Sequence, residues 1–299
     1  MRNTLQRSLL SAALLMAASH STGAAAFSLD DYQLTNTWYL PANTAAEASA
    51  ITYNWDRNSF FVLGDEGDAL VEVSRTGQQL GVMTLTGFDD TEGLTYIGNG
   101  QFVLTEERLR DAYRLNYVAG SSVNRSTLPS ADLGSTVGNV GIEGISYDPR
   151  NGTFITVKEK TAQQVNRNQI TFGSPGSATV TSLFTPNLGV LDLSDVQVLA
   201  TVPTLLGTET ADHLLVLSQE SSRLLEIDRL GTIFSEFDFT PYADTAEGVT
   251  IDQQGRIFLV DENDGAPRLF ELTPVPVPAA LWLLGSGLLG LAGMARRRR

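Results

Sequence analysis

The chain contains no cysteine, which rules out disulfides, zinc–thiolate sites and thiol nucleophiles. Histidine is nearly as scarce, with only His20 and His213 in 299 residues. The GxSxG nucleophile elbow, the HExxH zinc helix and the glycine loop that cradles phosphates are all missing. Basic residues are few, 20 against 34 acidic, and six of the twenty lie in two end segments that hold no acid. The part between the ends therefore carries 14 basic and 34 acidic residues, a formal −20. Such a surface disfavours nucleic acid and anionic membranes as partners and favours cations, besides serving solubility.

Long apolar runs occur only at the two ends. Residues 1–26 place Arg2 and Arg7 before an apolar stretch, Leu9 to Ala18, and finish on Ala24, Ala25 and Ala26. That layout predicts a secretory signal peptide cut after Ala26, because the apolar stretch is too short to span a bilayer. Residues 274–299 run from Val275-Pro276-Val277-Pro278 through apolar residues 279–295 to the cluster 296–299, all arginine. The run is at the lower limit of a transmembrane helix, and the arginines should stay cytoplasmic. VPVPA, the apolar run and the arginines resemble the VPLPA variant of the PEP-CTERM bacterial sorting signals, with Val277 where the variant has Leu. The resemblance implies an exosortase-type processing enzyme as a partner. The expected location is the cell envelope: tethered to the inner membrane, or at the cell surface or outside after sorting.

Between the ends, residues 27–273 are ample for one large all-β domain. The stretch GFDDTEGLTYIGNGQFVLTEE, from Gly87 to Glu107, reads as a β-hairpin with acids at both strand ends. Leu94, Tyr96, Phe102 and Leu104 alternate, and Gly98-Asn99-Gly100 supplies the turn. Most other segments repeat the pattern, with first strands starting at Ser49, Glu92, Glu143, Ser194 and Glu247, at intervals of 43, 51, 51 and 53 residues. That period predicts a single β-propeller of five blades, with six as the alternative. The fifth unit lacks a fourth strand, and the isolated strand Asp31 to Leu40 is expected to pair with it and close the ring. The polar stretch Thr161 to Ala178 reads as a long loop.

Two strand-end positions recur across the units. The first holds Ser49, Glu92, Glu143, Ser194 and Glu247; the second holds Asp65, Glu106, Glu159, Gln219 and Glu262. Gly93, Gly144 and Gly248 follow the first position in three units, so backbone can approach closely there. Carboxylates crowded on one ring repel each other unless protonated or neutralised by a cation. Oxygen ligands without imidazole or thiolate suit calcium, and suit magnesium less because its geometry is stricter. A solvent-facing strand end is the simpler explanation for any single Glu, and blade duplication alone also yields repetition. The shared xEG context of Glu92, Glu143 and Glu247, with the acids at the second recurring position, Glu106, Glu262, Glu159 and Asp65, makes these seven the candidate metal ligands. Asp261-Glu262-Asn263-Asp264-Gly265 mimics an EF-hand but puts glycine fifth instead of sixth. His213, alone beside Asp212, reads as a loop residue, and no catalytic residue is assigned.

DTEGLTY followed by GNGQFVLTEER, and AEGVTIDQQGRIFLVDEN, resemble the SdiA-regulated family of bacterial envelope proteins over most of Leu34 to Leu272. The resemblance implies a five-bladed propeller, distantly similar to NHL repeats, with a calcium site to which Glu92, Glu143, Glu247, Glu106 and Glu262 would carry over. Ser49 and Ser194 depart from the xEG pattern. The family implies no established activity. The expected protein is thus an exported, calcium-binding propeller acting as a binding or cell-surface module. The alternative is a calcium-dependent hydrolase (esterase, lactonase or phytase-like phosphohydrolase) built on the same carboxylates, and a third reading has the ion only pinning the blades. Arg108, Arg110 and Lys158 are a thin basic supply for a phosphate substrate.

Overall fold

A computed structural model describes residues 27–243 and 245–275. The expected signal peptide, transmembrane helix 279–295 and arginine cluster lie outside the described residues. Among the described residues no helix is long and apolar enough to cross a membrane.

The alternating apolar segments form twenty-one described strands. β1 (Tyr32–Tyr39) comes first in the chain and last in the ring. The first blade holds β2 (Ala48–Asn54), β3 (Ser59–Gly64), β4 (Ala69–Val73) and β5 (Gln79–Thr86). The second holds β6 (Thr91–Gly98), β7 (Gln101–Glu106) and β8 (Asp111–Asn116). The segment after β8 serves two blades: β9 (Ser122–Asn124) lies parallel to β5, and β10 (Ser130–Asp132) pairs with β8. The third blade is β11 (Ile142–Asp148), β12 (Thr153–Lys158), β13 (Gln164–Thr171) and β14 (Ser177–Phe184). The fourth is β15 (Asp195–Val198), β16 (Leu214–Ser218), β17 (Arg223–Ile227) and β18 (Ile233–Asp238). The fifth is β19 (Ala246–Ile251), β20 (Ile257–Asp261) and β21 (Arg268–Pro274), and β1 supplies its outer strand.

Five blades close the ring, and β1 pairs antiparallel with β21 from Tyr32↔Pro274 to Tyr39↔Arg268. The innermost strands contact their neighbours all the way round, β2 to β6, β11, β15, β19 and back to β2. Apolar side chains fill the gaps between blades. Phe61 and Phe102 rings join the first and second blades at 4.3 Å, and Phe60 and Phe258 join the first and fifth at 4.4 Å. Each such buried phenylalanine contributes roughly 1.5–3 kcal/mol.

A polar collar runs round the channel three residues past each unit start, through Thr52, Thr95, Ser146, Gln197 and Thr250. Backbone N–H groups of Tyr96, Tyr147 and Val198 donate to the hydroxyls of Thr52, Thr95 and Ser146 at 3.0, 3.0 and 2.9 Å. Thr250 donates to Gln197 Oε1 at 3.2 Å and accepts from Tyr53 N–H at 3.0 Å. Every bond links one blade to the next, so the circle of blades is also a circle of hydrogen bonds.

The stretch Thr161 to Ala178 is not a loop: it contains β13 and the start of β14. Its polarity misleads because this blade satisfies its outer hairpin with side-chain hydrogen bonds. Asn168, fully buried, donates to Thr156 Oγ1 at 2.9 Å, and Asn166 donates to Gln164 at 3.2 Å.

Candidate metal centre

The recurrent acids owe their direction to a repeated irregularity. In four blades the pairing of the two inner strands skips one residue near its start: Ser49, Glu92, Glu143 and Glu247. Such a bulge leaves the extra residue outside the ladder and re-aims its side chain. Glu92, Glu143 and Glu247 accordingly line a cavity of about 320 Å³ at the channel mouth. The fourth blade has no bulge; β15 begins at Asp195, whose buried carboxylate accepts from Val196 N–H at 2.7 Å and Val249 N–H at 2.8 Å. The glycine after each bulged Glu is a close-approach position. A Cβ on Gly144 would lie 2.5 Å from Asp195 Oδ1, and one on Gly93 2.3 Å from Thr105 Oγ1.

The second strands close the cavity with Asp65, Glu107, Glu159, Glu262 and Gln219. Glu106, expected here, lies elsewhere. It is fully buried, bound by Arg125 at 2.8 Å, and accepts from Asp89 N–H at 2.9 Å. Glu107 takes its place because a one-residue step along a strand changes the face. The spacing carried that signal: Asp65, Glu159 and Glu262 follow their unit starts by 16, 16 and 15 residues, Glu107 by 15 and Glu106 by 14. Asp90 and Asp192, two residues before Glu92 and Ser194, also line the cavity and were not expected.

Nine carboxylates and a single arginine, Arg108, line this space. Arg108 is held at the rim, with Nε 3.0 Å from Asp90 and Nη2 donating to Asn139 at 2.6 Å. Lys160 binds Glu159 at 2.7 Å and Glu220 at 2.5 Å, while Lys158 turns its ammonium to the carbonyls of Lys160, Thr161 and Ala162. Burial, then the charges of Glu247 and Asp65, push the Glu92 carboxyl well above its ordinary range. Burial, then Glu92 and Glu107, do the same to Glu143. Glu247 is raised to about 8 by burial, Glu262 and Asp65, against an amide hydrogen bond from Gln219 at 2.5 Å. Asp90 rises to about 7 through burial and its hydrogen bond with Glu107.

Oxygens of Glu107, Glu143 and Glu159 all lie within 4.8 Å of one another, and Glu107 is anchored by Gly141 N–H at 2.7 Å. Ser194, on the cavity wall and more than nine-tenths buried, has no hydrogen-bond partner for its hydroxyl. This donor set is all oxygen and largely anionic, which fits a hard divalent cation. His213 is not part of it. It lies just before β16 on the face opposite the mouth, 2.8 Å from Glu226 of β17 and stacked on Phe234 of the outer strand β18.

A family model described as SdiA-regulated matches residues 24–271. The chain belongs to the SdiA-regulated family. Solved structures resemble this SdiA-regulated propeller at low identity. Glutaminyl cyclase from Myxococcus xanthus is 14% identical, with 81% of this chain and 95% of that one covered, at a TM-score of 0.53. Virginiamycin B lyase from Staphylococcus aureus is 14% identical over 75% of this chain and 65% of that one, at a TM-score of 0.41. The first likeness is one of fold alone, and the second is too loose to add to it.

Proposed function

We propose that this SdiA-regulated propeller is an exported, membrane-tethered binding module whose acidic mouth holds a calcium ion. The observation that carries the reading is the imbalance of the cavity, nine carboxylates against one arginine that is already paired. Glu107, Glu143 and Glu159 would hold the ion, with Glu92 and Glu247 as neighbouring carboxylates and the Ser194 hydroxyl as a neutral donor. The bound ion supplies positive charge and vacant coordination positions to which an oxygen-rich ligand can attach. The residues do the rest: bulges aim the glutamates, the adjacent glycines let strands close behind them, and the collar fixes the blades that carry them.

Carboxylates raised to about 7 and about 8 are partly protonated near neutral pH, so cation binding should release protons and weaken as pH falls. The test is a calorimetric calcium titration of the full chain stripped with chelator. The reading expects binding at micromolar affinity or tighter with a raised melting temperature by linkage. Absence of heat and of any melting shift would remove the ion from the account and leave the propeller.

A further inference from the structure

The two ends of the described chain leave the propeller together, away from the acidic mouth. Tyr32 pairs with Pro274, and Val275 N–H donates to the Asp31 carbonyl at 2.6 Å. Phe27, Tyr32, Val202, Leu205, Pro274 and Val275 line an apolar groove of about 240 Å³ beside them. Gly255, from the turn between β19 and β20, also borders that groove and accepts from the Tyr32 hydroxyl at 2.6 Å. That turn and the loop 199–213 between β15 and β16 lie on the face of the propeller opposite the mouth. Large apolar side chains stand exposed around it: Leu206 within that loop, and Leu230, Ile233 and Phe234 where β17 turns into β18.

Only Pro276, Val277 and Pro278 separate Val275 from the apolar run 279–295. Three residues reach about 10 Å at full extension. A domain of this length has a radius of gyration of about 18 Å, so a 10 Å tether leaves it no room to turn over. The mouth, with its carboxylates, would also be repelled by anionic headgroups. We propose that the base of the propeller, at Leu206, Leu230 and Phe234 beside the chain ends, rests on the lipid surface and that the acidic mouth opens away from it. The inference rests on the membrane-tethered reading above and adds the orientation and the contact surface.

Because the chain has no cysteine, one introduced thiol reports one position. Full-length Leu206→Cys, Leu230→Cys and, in the exposed turn next to Asp65, Glu66→Cys would each be labelled with bimane. Each is then reconstituted in phosphatidylcholine vesicles carrying a headgroup-level nitroxide lipid. The proposal expects labels at 206 and 230 to dim about twofold or more relative to nitroxide-free vesicles, and the label at 66 to stay bright. Equal dimming at all three positions, or dimming at 66 alone, overturns it. Vesicle flotation of the full chain against a chain ending at Val275 separates the two readings. If the tail adds no flotation, the tether itself is wrong and the orientation goes with it. If the full chain floats and no label dims, the tether stands and the orientation is wrong.

Discussion

The two ends of the central channel treat buried carboxylates in opposite ways. At the base, Asp148 is fully buried and held by Arg150 at 2.7 Å and Arg229 at 2.6 Å, the second reaching in from the next blade. Asp252 repeats the device, with Arg256 at 2.8 Å and Arg75 from the neighbouring blade at 2.6 Å. Burial alone would raise the Asp148 carboxyl, but the arginine hydrogen bonds and charges hold it below its ordinary value. At the mouth the same fold gathers nine carboxylates round one arginine, and Glu92, Glu143 and Glu247 are pushed upward. At the mouth Arg108 pairs with Asp90 at the rim, and among the described residues no arginine ion pair reaches Glu92, Glu143 or Glu247. The base neutralises its buried carboxylates with arginine; the mouth crowds acids together, as the proposed cation site requires.

Breaking the base should cost most. Asp148→Ala takes the buried carboxylate from Arg150 and Arg229 and leaves them only the exposed Asp212, and a loss of about 3 kcal/mol is expected in denaturant unfolding. The same experiment on the mouth should show the opposite sign. Glu143→Gln removes one of the self-repelling acids and is expected to raise stability in chelator at pH 8 by about 1–2 kcal/mol. An adjacent pair sharpens the contrast. Glu107→Gln is expected to weaken calcium binding about tenfold or more, whereas Glu106→Gln, cut off from the cavity by Arg125, should leave calorimetric affinity unchanged and lower the melting temperature. The smallest effect belongs to the collar: Thr95→Val removes one inter-blade hydrogen bond and should cost about 1 kcal/mol, with calcium affinity unaltered.

The ring was readable because strand pairs of the same pattern recur every 43 to 53 residues; the xEG triplets mark three of the five units, and the spacing supplies the other two. Closure by the N-terminal strand was readable too, from one unit short of a strand and one strand short of a unit. Two local features hid. β13 carries Asn166 and Asn168 where a sequence pattern looks for apolar residues, since Asn168 bonds Thr156 of β12 and Asn166 bonds Gln164 of its own strand. Glu106 and Glu107 are adjacent and chemically alike, so a one-residue difference in spacing was the single sequence signal between them, and the register, with Thr91 opposite Glu106, turns Glu107 to the channel. The staples of Asp148 and Asp252 could not be foreseen, because Arg229 and Arg75 lie 81 and 177 residues away from them in sequence.

The difference between mouth and base is tested most directly by melting the full chain from pH 5 to pH 8, in chelator and in calcium. Glu247, ordinarily near 4.5, sits at about 8 when folded, so the folded state keeps a proton that the unfolded state has released. Stability in chelator is therefore predicted to fall as pH rises across that window. Calcium, which needs the ionised carboxylates, should flatten or reverse the slope. Parallel pH profiles with and without calcium would mean that the mouth binds no cation through these acids, and the central claim would be wrong.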